Sequence, residues 1–395
     1  MTTYRTVTLK RGKEESLRRF HPWIFSGAIE HLPENIQNGD IVQVITHDGD
    51  FIAKGHYQIG SIAVRVLTFE NEEINESFWE KRINAAYLVR QAIGLANHSN
   101  NATYRLVHGE GDNLPGLVID CYGPTAVMQA HSVGMHLNRH EIAKALVKVL
   151  GDKIRNIFYK SETTLPLKAQ LGQENGFIYG GDVQDIAIEN GLKFHIDWLR
   201  GQKTGFFIDQ RENRHLLEKY ALNRSVLNMF CYTGGFSVYA MKGGASLVHS
   251  VDSSAKAIEL TQQNVELNFP GDKRHQAFCD DAFKYLDANH DKYDLIILDP
   301  PAFAKHRGAL RNALKGYTRL NVKGLEHIRK GGILFTFSCS QVVTKEQFRQ
   351  AVFTAAALTG RNVRILHQLH QPADHPINIY HPEGEYLKGL VLYVE

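Results

Sequence analysis

The sequence predicts an α/β protein: a Rossmann-like, mostly parallel, doubly wound sheet with an antiparallel C-terminal hairpin, preceded by a small β-rich domain and a central α+β domain. Three observations carry this expectation. At 395 residues the chain exceeds what one ordinary core organises, so two or three domains are expected. From about residue 191 onward, the short apolar runs "SVLNMF", "LVHSVD", "YDLIILD" and "GGILFTFS" are separated by helical patterns such as "SAKAIELTQQNVELN". That alternation builds parallel sheets. Near the N-terminus, "GDIVQVITHDGDFIAKGHY" alternates apolar and polar residues about Asp48-Gly49, a hairpin signal.

In chain order, residues 1–73 read as the β-rich domain. Its first part, "LKRGKEESLRRFHPWIF", mixes Lys10, Arg11, Lys13, Arg18 and Arg19 with Trp23 and Phe25. Cations for phosphate and rings for stacking are what a nucleic-acid surface needs; a solvated basic face beside a buried tryptophan explains the same residues. Residues 74–190 read as a connecting α+β domain. It has a helix over "SFWEKRINAAYLVRQAIGL", a hairpin in "YRLVHGEGDNLPGLVIDCYGPTAVMQA" and an amphipathic helix at "LNRHEIAKALVKVL". Residues 191–395 form the doubly wound domain. Its tail, "VRILHQLHQ…EYLKGLVLYVE", reads as two strands joined by a short polar loop at one sheet edge.

Hydrophobic content of 43% and charged content of 22% exclude a disordered chain, and a net charge of +3 permits a nucleic-acid partner without requiring one. Four cysteines with no C-x-x-C pair suggest neither a disulfide framework nor a zinc site, so no metal is expected and a reducing cytoplasm fits. No apolar leader or membrane-length run is present.

"VLNMFCYTGGFSVYAMKGG" is a strand, a glycine turn and a helix start, where Gly234 and Gly235 let the backbone approach a ligand. The next strand ends on Asp252, able to accept hydrogen bonds from both hydroxyls of an adenosine ribose. Adjacent glycines fail the G-x-G-x-x-G pattern, which disfavours a nicotinamide dinucleotide. "QAFCDDAF" places Asp280 and Asp281 at a third strand end, where a carboxylate can take the adenine amine. Together these describe an adenosyl pocket, with S-adenosylmethionine as ligand. Asn228, Phe230, Tyr232 and Thr233 of the turn, with Ser253 and Ala282 beside the acids, complete its expected lining.

"YDLIILDPPAFAK" ends a strand on Asp299, and Pro300 and Pro301 lock the turn that follows. Such a turn can hold a carboxylate and the Phe303 ring beside a flat substrate. Asp-Pro-Pro with an aromatic serves methyl transfer both to exocyclic amines and to base carbons. An amine attacks the methyl directly, whereas carbon 5 of a pyrimidine needs a thiolate added first at carbon 6. Cys339, at the end of "GGILFTFS", is placed for that role; a buried structural thiol is the alternative. From Ala302 to Leu325 there are six Lys/Arg and no acid, among them Lys305, Arg307, Arg311 and Lys315 as candidate phosphate contacts.

These residues are similar, over essentially the whole chain, to the RlmI-like bacterial methyltransferases that make 5-methylcytosine in large-subunit (23S) ribosomal RNA. The matching stretches are "RRFHPWIFSGAI", "LPGLVID", "KTGFFIDQREN", "VLNMFCYTGGFSVYA", "LDPPAFAK", "FTFSCS" and "EGEYLKG". The resemblance implies a PUA domain for RNA binding, a central α+β domain and a class I S-adenosylmethionine-dependent methyltransferase. It implies Cys339 as nucleophile, Asp299 as the group that holds and protonates the cytosine, Asp252 on the ribose and Asp281 on the adenine. It also implies that Lys203, Thr204, Asp209, Gln210 and Arg211 line the methionine side of the cofactor; Asp299 is a further cofactor-binding candidate. Many RNA cytosine-5 enzymes carry a second cysteine after the first proline of the Asp-Pro-Pro motif, where this chain has Pro301. The expected partner is ribosomal RNA, without membrane or metal, and a homodimer is left open. Transfer to an exocyclic amine or ring nitrogen of an RNA base remains the alternative reaction, and passive RNA binding the alternative class.

Overall fold

The computed structural model describes residues 4–98, 100–166, 171, 175–183, 185–290 and 292–395. They fall in two units: the chain up to Gly191 with Ile196–Phe206 and Ala373–Gly384, and Leu192–His195 with Phe207–Pro372 and Glu385–Glu395.

The first unit holds two sheets. Strands β1 (Arg5–Leu9), β2 (Trp23–Phe25), β3 (Ile29–His31), β4 (Ile41–Ile45), β5 (Phe51–Tyr57) and β6 (Ile62–Thr68) assemble in the order β2-β6-β5-β4-β1-β3. Period-two alternation sends Val42 and Val44 of β4 inward onto Val7, Leu9 and Val64. The expected hairpin is β4–β5, antiparallel, with Gly49 at φ +95° in its turn. The second sheet, ordered β11-β10-β9-β8-β7, contains β7 (Thr103–His108), β8 (Leu117–Tyr122), β9 (Thr125–Ala130), β10 (Asn156–Tyr159) and β11 (Gly176–Tyr179). Among the helices of this unit, α1 (Glu15–Arg18) is one turn, and α2 (Glu76–Ala92) and α4 (Arg139–Leu150) bury Trp79, Ile83 and Leu146 in the core of the second sheet. Helix α3 (Val133–Leu137) precedes α4, and β12 (Ile186–Glu189) closes the series.

Residues 373–384 are tied into this unit by charge. Fully buried Arg90 forks onto Asp112 and also donates to the Asp374 carbonyl at 2.7 Å. The buried Asp374 carboxylate accepts from the Arg105 N–H at 2.9 Å.

In the second unit a short strand β13 (Leu192–His195) precedes α5 (Arg211–Glu218) and a seven-stranded sheet. The sheet strands are β14 (Ser225–Met229), β15 (Leu247–Asp252), β16 (His275–Cys279), β17 (Tyr293–Leu298), β18 (Ile328–Ser338), β19 (Val363–Leu369) and β20 (Lys388–Val394). Their order is β16-β15-β14-β17-β18-β20-β19, with β14 to β18 parallel and β20 antiparallel to both neighbours. Between them run α6 (Gly235–Lys242), α7 (Ala255–Asn268), α8 (Ala282–Ala288), α9 (Leu310–His327) and α10 (Lys345–Thr359). Strand order reverses between β14 and β17, and open α/β sheets bind ligands beyond strand C-termini at such a point.

The antiparallel tail forms as expected, but not as a tight hairpin at the edge. The last strand, β20, lies inside the sheet and β19 takes the edge. Composition explains the order: "KGLVLYV" is buried almost throughout, whereas "VRILHQL" carries polar residues that face water. The link between them is long, because residues 373–384 belong to the first unit. Among the described residues no helix is long and apolar enough to cross a membrane.

Candidate active site

The turn after β14 is held in a costly conformation. Phe230 (φ +58°), Tyr232 (φ +47°) and Gly234 (φ +77°) all adopt left-handed backbone, which bulky aromatic residues ordinarily avoid. A Cβ on Gly234 would lie 2.7 Å from the Thr261 methyl, so only glycine fits there. Asp252, at the end of β15, stabilises the turn by accepting from the Tyr232 N–H at 3.0 Å, and its other oxygen accepts from Ser254 N–H at 3.0 Å. Thr233 is buried, and its carbonyl accepts from Asn264.

The register pairs Met229 with Val251 and Asp252 with Cys279, so the three strand ends finish level. Asp281 follows β16 as the N-cap of α8: one carboxylate oxygen accepts from the Phe283 and Lys284 N–H groups, both at 3.0 Å. Ser253 is exposed and Ala282 buried. One edge therefore gathers the glycine turn, the strand-ending acid Asp252 and a second acid from neighbouring strands. Asn228 is buried with its amide nitrogen on Ser237, while its carbonyl oxygen has no partner among the described residues. This donor and acceptor set, with backbone able to approach closely, fits an adenosyl group.

Asp299 follows β17, next to this edge. Its Oδ2 accepts from the Gln210 amide at 3.1 Å, and Gln210 is itself held by Asn213 at 2.6 Å. Buried Asp209 accepts from the Tyr386 hydroxyl at 2.7 Å, and Arg211 is buried beside it in sequence. The structure thus brings Gln210 onto Asp299, with Asp209 and Arg211 in the same segment. Lys203 and Thr204 fall in the first unit, where buried Thr204 donates to Asp120 at 2.6 Å and pairs with the Tyr122 hydroxyl at 2.9 Å.

Cys339 directly follows β18, and the pairing of Leu298 with Thr336 puts the Asp299-Pro300-Pro301 turn on the adjacent parallel strand at the same end. The thiol's residue is half-buried, not enclosed in the core. Its flanking serines are structural ties. Ser338 donates to the Tyr317 hydroxyl at 2.9 Å, and Ser340 donates to the Ala304 carbonyl at 2.6 Å. Tyr317 is fully buried, and the Phe303 ring packs on it with centroids 4.6 Å apart. Burial first, then the proximity of Cys339 and Asp299, push the Tyr317 phenol up to about 12, against the Ser338 hydrogen bond. It stays neutral, and joins both turns.

Lys388 completes the corner. It pairs across strands with Ser338, and its ammonium donates to the carbonyls of Ser340 and Val343. Burial pushes it down to about 8, opposed by Cys339 and Glu385. Sequence reasoning missed Tyr317 and Lys388 as site residues, although "EGEYLKG" contained the lysine.

The basic residues divide. Lys10, Arg11, Arg18 and Arg19 are exposed beside exposed Phe20 and Phe25; Lys10 reaches the Gly27 carbonyl and Arg11 pairs with Asp48. Trp23 is half-buried, its indole donating to Glu110 at 2.8 Å. On and before α9, Lys305, Arg307, Arg311 and Lys315 are exposed without a described partner. The other two cations of that run are occupied: Lys323 pairs with Asp287 and Glu326, and Arg319 stacks on Phe283. Outside this site, His21, His381 and Glu383 each bring one potential ligand atom within 4.8 Å of the others.

Residues 178–377 match the profile of S-adenosylmethionine-dependent methyltransferases, and residues 7–69 match a PUA-like domain. Fold and site therefore define a methyltransferase that uses S-adenosylmethionine and carries a PUA-like N-terminal domain. The chain is 40% identical to the ribosomal RNA large subunit methyltransferase I of Aeromonas hydrophila and to that of Tolumonas auensis, covering 98% of each chain in both cases. It belongs to the ribosomal RNA large subunit methyltransferase I family. Among solved structures, a Streptococcus mutans protein described as a SAM-dependent methyltransferase shares its fold, with TM-score 0.84, 24% identity, and coverage of 98% of this chain and 100% of that one. A methyltransferase structure complexed with SAH matches at TM-score 0.85 and 24% identity, with the same coverage.

Proposed function

We propose that the protein methylates carbon 5 of a cytosine in large-subunit ribosomal RNA through a covalent bond between Cys339 and carbon 6. The observation that carries this reading is the half-buried thiol at the end of β18, on the strand adjacent to the Asp299-Pro300-Pro301 turn. Bound S-adenosylmethionine supplies an electrophilic methyl group. Asp252, Asp281 and the Phe230–Gly235 turn would hold its adenosyl part, and Asp209, Gln210 and Arg211 its amino-acid end. The contribution of Lys203 and Thr204 is left to the first unit, where the Thr204 hydroxyl is already engaged.

The Cys339 thiolate adds to carbon 6 while Asp299, in its acid form, gives a ring nitrogen a proton. The displaced electron pair makes carbon 5 nucleophilic enough to take a methyl. A base then removes the carbon 5 proton, the carbon–sulfur bond breaks, the thiolate leaves with its electron pair, and the ring nitrogen returns its proton to Asp299. Pro300 and Pro301 keep the turn rigid, and Phe303, one face against Tyr317, offers its other side to a base extruded from its stack. In this division residues 1–73 grip RNA, 74–190 connect, and 191–395 carry the chemistry. Relatives named for ribosomal RNA, the PUA-like module and the four unpartnered cations around α9 support the choice of substrate.

RNA containing 5-fluorocytosine tests the route, since fluorine cannot leave as a proton does. A denaturation-resistant adduct should form with the wild-type protein and vanish in Cys339→Ser, which should still bind S-adenosylmethionine by calorimetry. Methylation without adduct, undiminished in Cys339→Ser, would assign the reaction to an amine or ring nitrogen instead.

A further inference from the structure

We propose that Lys388 is a positioning residue whose buried ammonium, fixed on the Ser340 and Val343 carbonyls, holds Cys339 as the reactive thiolate. The inference rests on the covalent reading above. Three structural facts lead to it. The cross-strand partner of Lys388 is Ser338, the residue immediately before Cys339. Two of the three ammonium protons go to main-chain oxygens just past Cys339, those of Ser340 and Val343. The lysine is only 6% exposed, yet among the described residues no carboxylate lies within ion-pair distance of it.

Lysines are almost never buried without a partner, because an uncompensated charge loses its hydration. Carbonyl dipoles offset part of that loss. A thiolate at Cys339 supplies the missing anion. The surrounding charges leave that role open. Glu385 is paired with Lys345, so its charge is already engaged. Arg349 and His370 line a cavity of about 150 Å³ together with Lys388 and add no anion; Glu346, which also lines it, is exposed to water. Neutral Tyr317 is tied to Ser338 and Asp299 follows the adjacent strand, and neither supplies a cation. A cation is therefore required if the thiol is to ionise near neutrality. Electrostatic coupling is mutual: Cys339 raises the affinity of Lys388 for its proton, so protonated Lys388 lowers the affinity of Cys339 for its own.

The test follows alkylation of Cys339 by iodoacetamide against pH in the full-length protein, reading the Cys339 peptide by mass spectrometry. Wild-type Cys339 should show a midpoint below the ordinary thiol value of about 8.5. Lys388→Met should raise the midpoint by about one unit or more and slow adduct formation with 5-fluorocytosine RNA at neutral pH about ten-fold. Lys388→Arg should restore part of both, and S-adenosylmethionine affinity should not change. A lysine that merely packs the strand would lower yield or cofactor affinity without moving the midpoint. A wild-type midpoint at or above the ordinary value, or an unmoved midpoint in Lys388→Met, overturns the inference while leaving the adduct intact. Absence of any wild-type adduct during active methylation overturns the covalent reading itself.

Discussion

Cys339 sits between two serines because each hydroxyl ties the thiol's own turn to a neighbour. Ser338 reaches Tyr317 and Ser340 reaches the Ala304 carbonyl, so the residue between them is aimed by bonds on both sides. The placement of Cys339, Asp299 and the prolines at neighbouring strand ends was legible in the sequence because each sits in a short contiguous motif. Lys388 was not, since its meaning depends on the pairing of β20 with β18, which brings together residues far apart in the chain. Its burial has a measurable signature in stability. The ordinary lysine value is 10.5 and the folded value about 8, so between those pH values the unfolded chain binds a proton that the folded chain has released. Stability from this group therefore rises with pH across that window. Relative to Lys388→Met, which has no amine to titrate at that position, the wild-type protein should gain on the order of 3 kcal/mol between about pH 8 and pH 10.5. Denaturant unfolding of both proteins along a pH series checks this; a flat difference refutes it.

The element that shapes the proposed cofactor edge is the β14–α6 turn, and its energetics are unusual. Two aromatic residues and a glycine alternate in left-handed backbone, a conformation costing roughly 1–3 kcal/mol at each non-glycine position. The turn persists because Asp252 binds the Tyr232 N–H and Thr261 donates to the Tyr232 carbonyl at 2.9 Å. Gly234→Ala adds a Cβ 2.7 Å from the Thr261 methyl, and left-handed strain of roughly 1–2 kcal/mol. The expected outcome is S-adenosylmethionine affinity lowered about ten-fold or more by calorimetry, with Cys339 alkylation unchanged. Wild-type affinity in that variant would show that the turn does not shape the site. The glycine turn and the strand-ending acids were legible from residue type and spacing. The strain at Phe230 and Tyr232 was not, because nothing in an aromatic residue signals positive φ. The order of the last two strands lay between these cases. The apolar run of β20 announces an interior strand and the mixed run of β19 an edge, but choosing partners requires the whole sheet.

At the scale of the whole molecule, sequence reasoning reached the succession of a β-rich module, a mixed region and a doubly wound sheet, because hydrophobic periodicity changes along the chain. It did not reach the excursion of residues 373–384 into the first unit, which depends on Arg90 and Arg105 meeting Asp374 across most of the chain. The same limit applies to charge. Six cations between Ala302 and Leu325 look equivalent in sequence, yet Lys323 is neutralised by Asp287 and Glu326 while four are left to solvent. Only unpaired cations can displace counterions from a phosphate backbone, and each such contact contributes about 0.7 to the log–log salt slope on single-stranded RNA. Converting Lys305, Arg307, Arg311 and Lys315 together to glutamine should reduce the slope of binding to unmodified ribosomal RNA by up to about 3, measured by fluorescence anisotropy across a salt series. Lys323→Gln should leave the slope where it was, since that charge is already spent within the fold. Equal losses from both changes would mean that net charge, not this face, governs binding; no loss from the fourfold change would remove these residues from the RNA path.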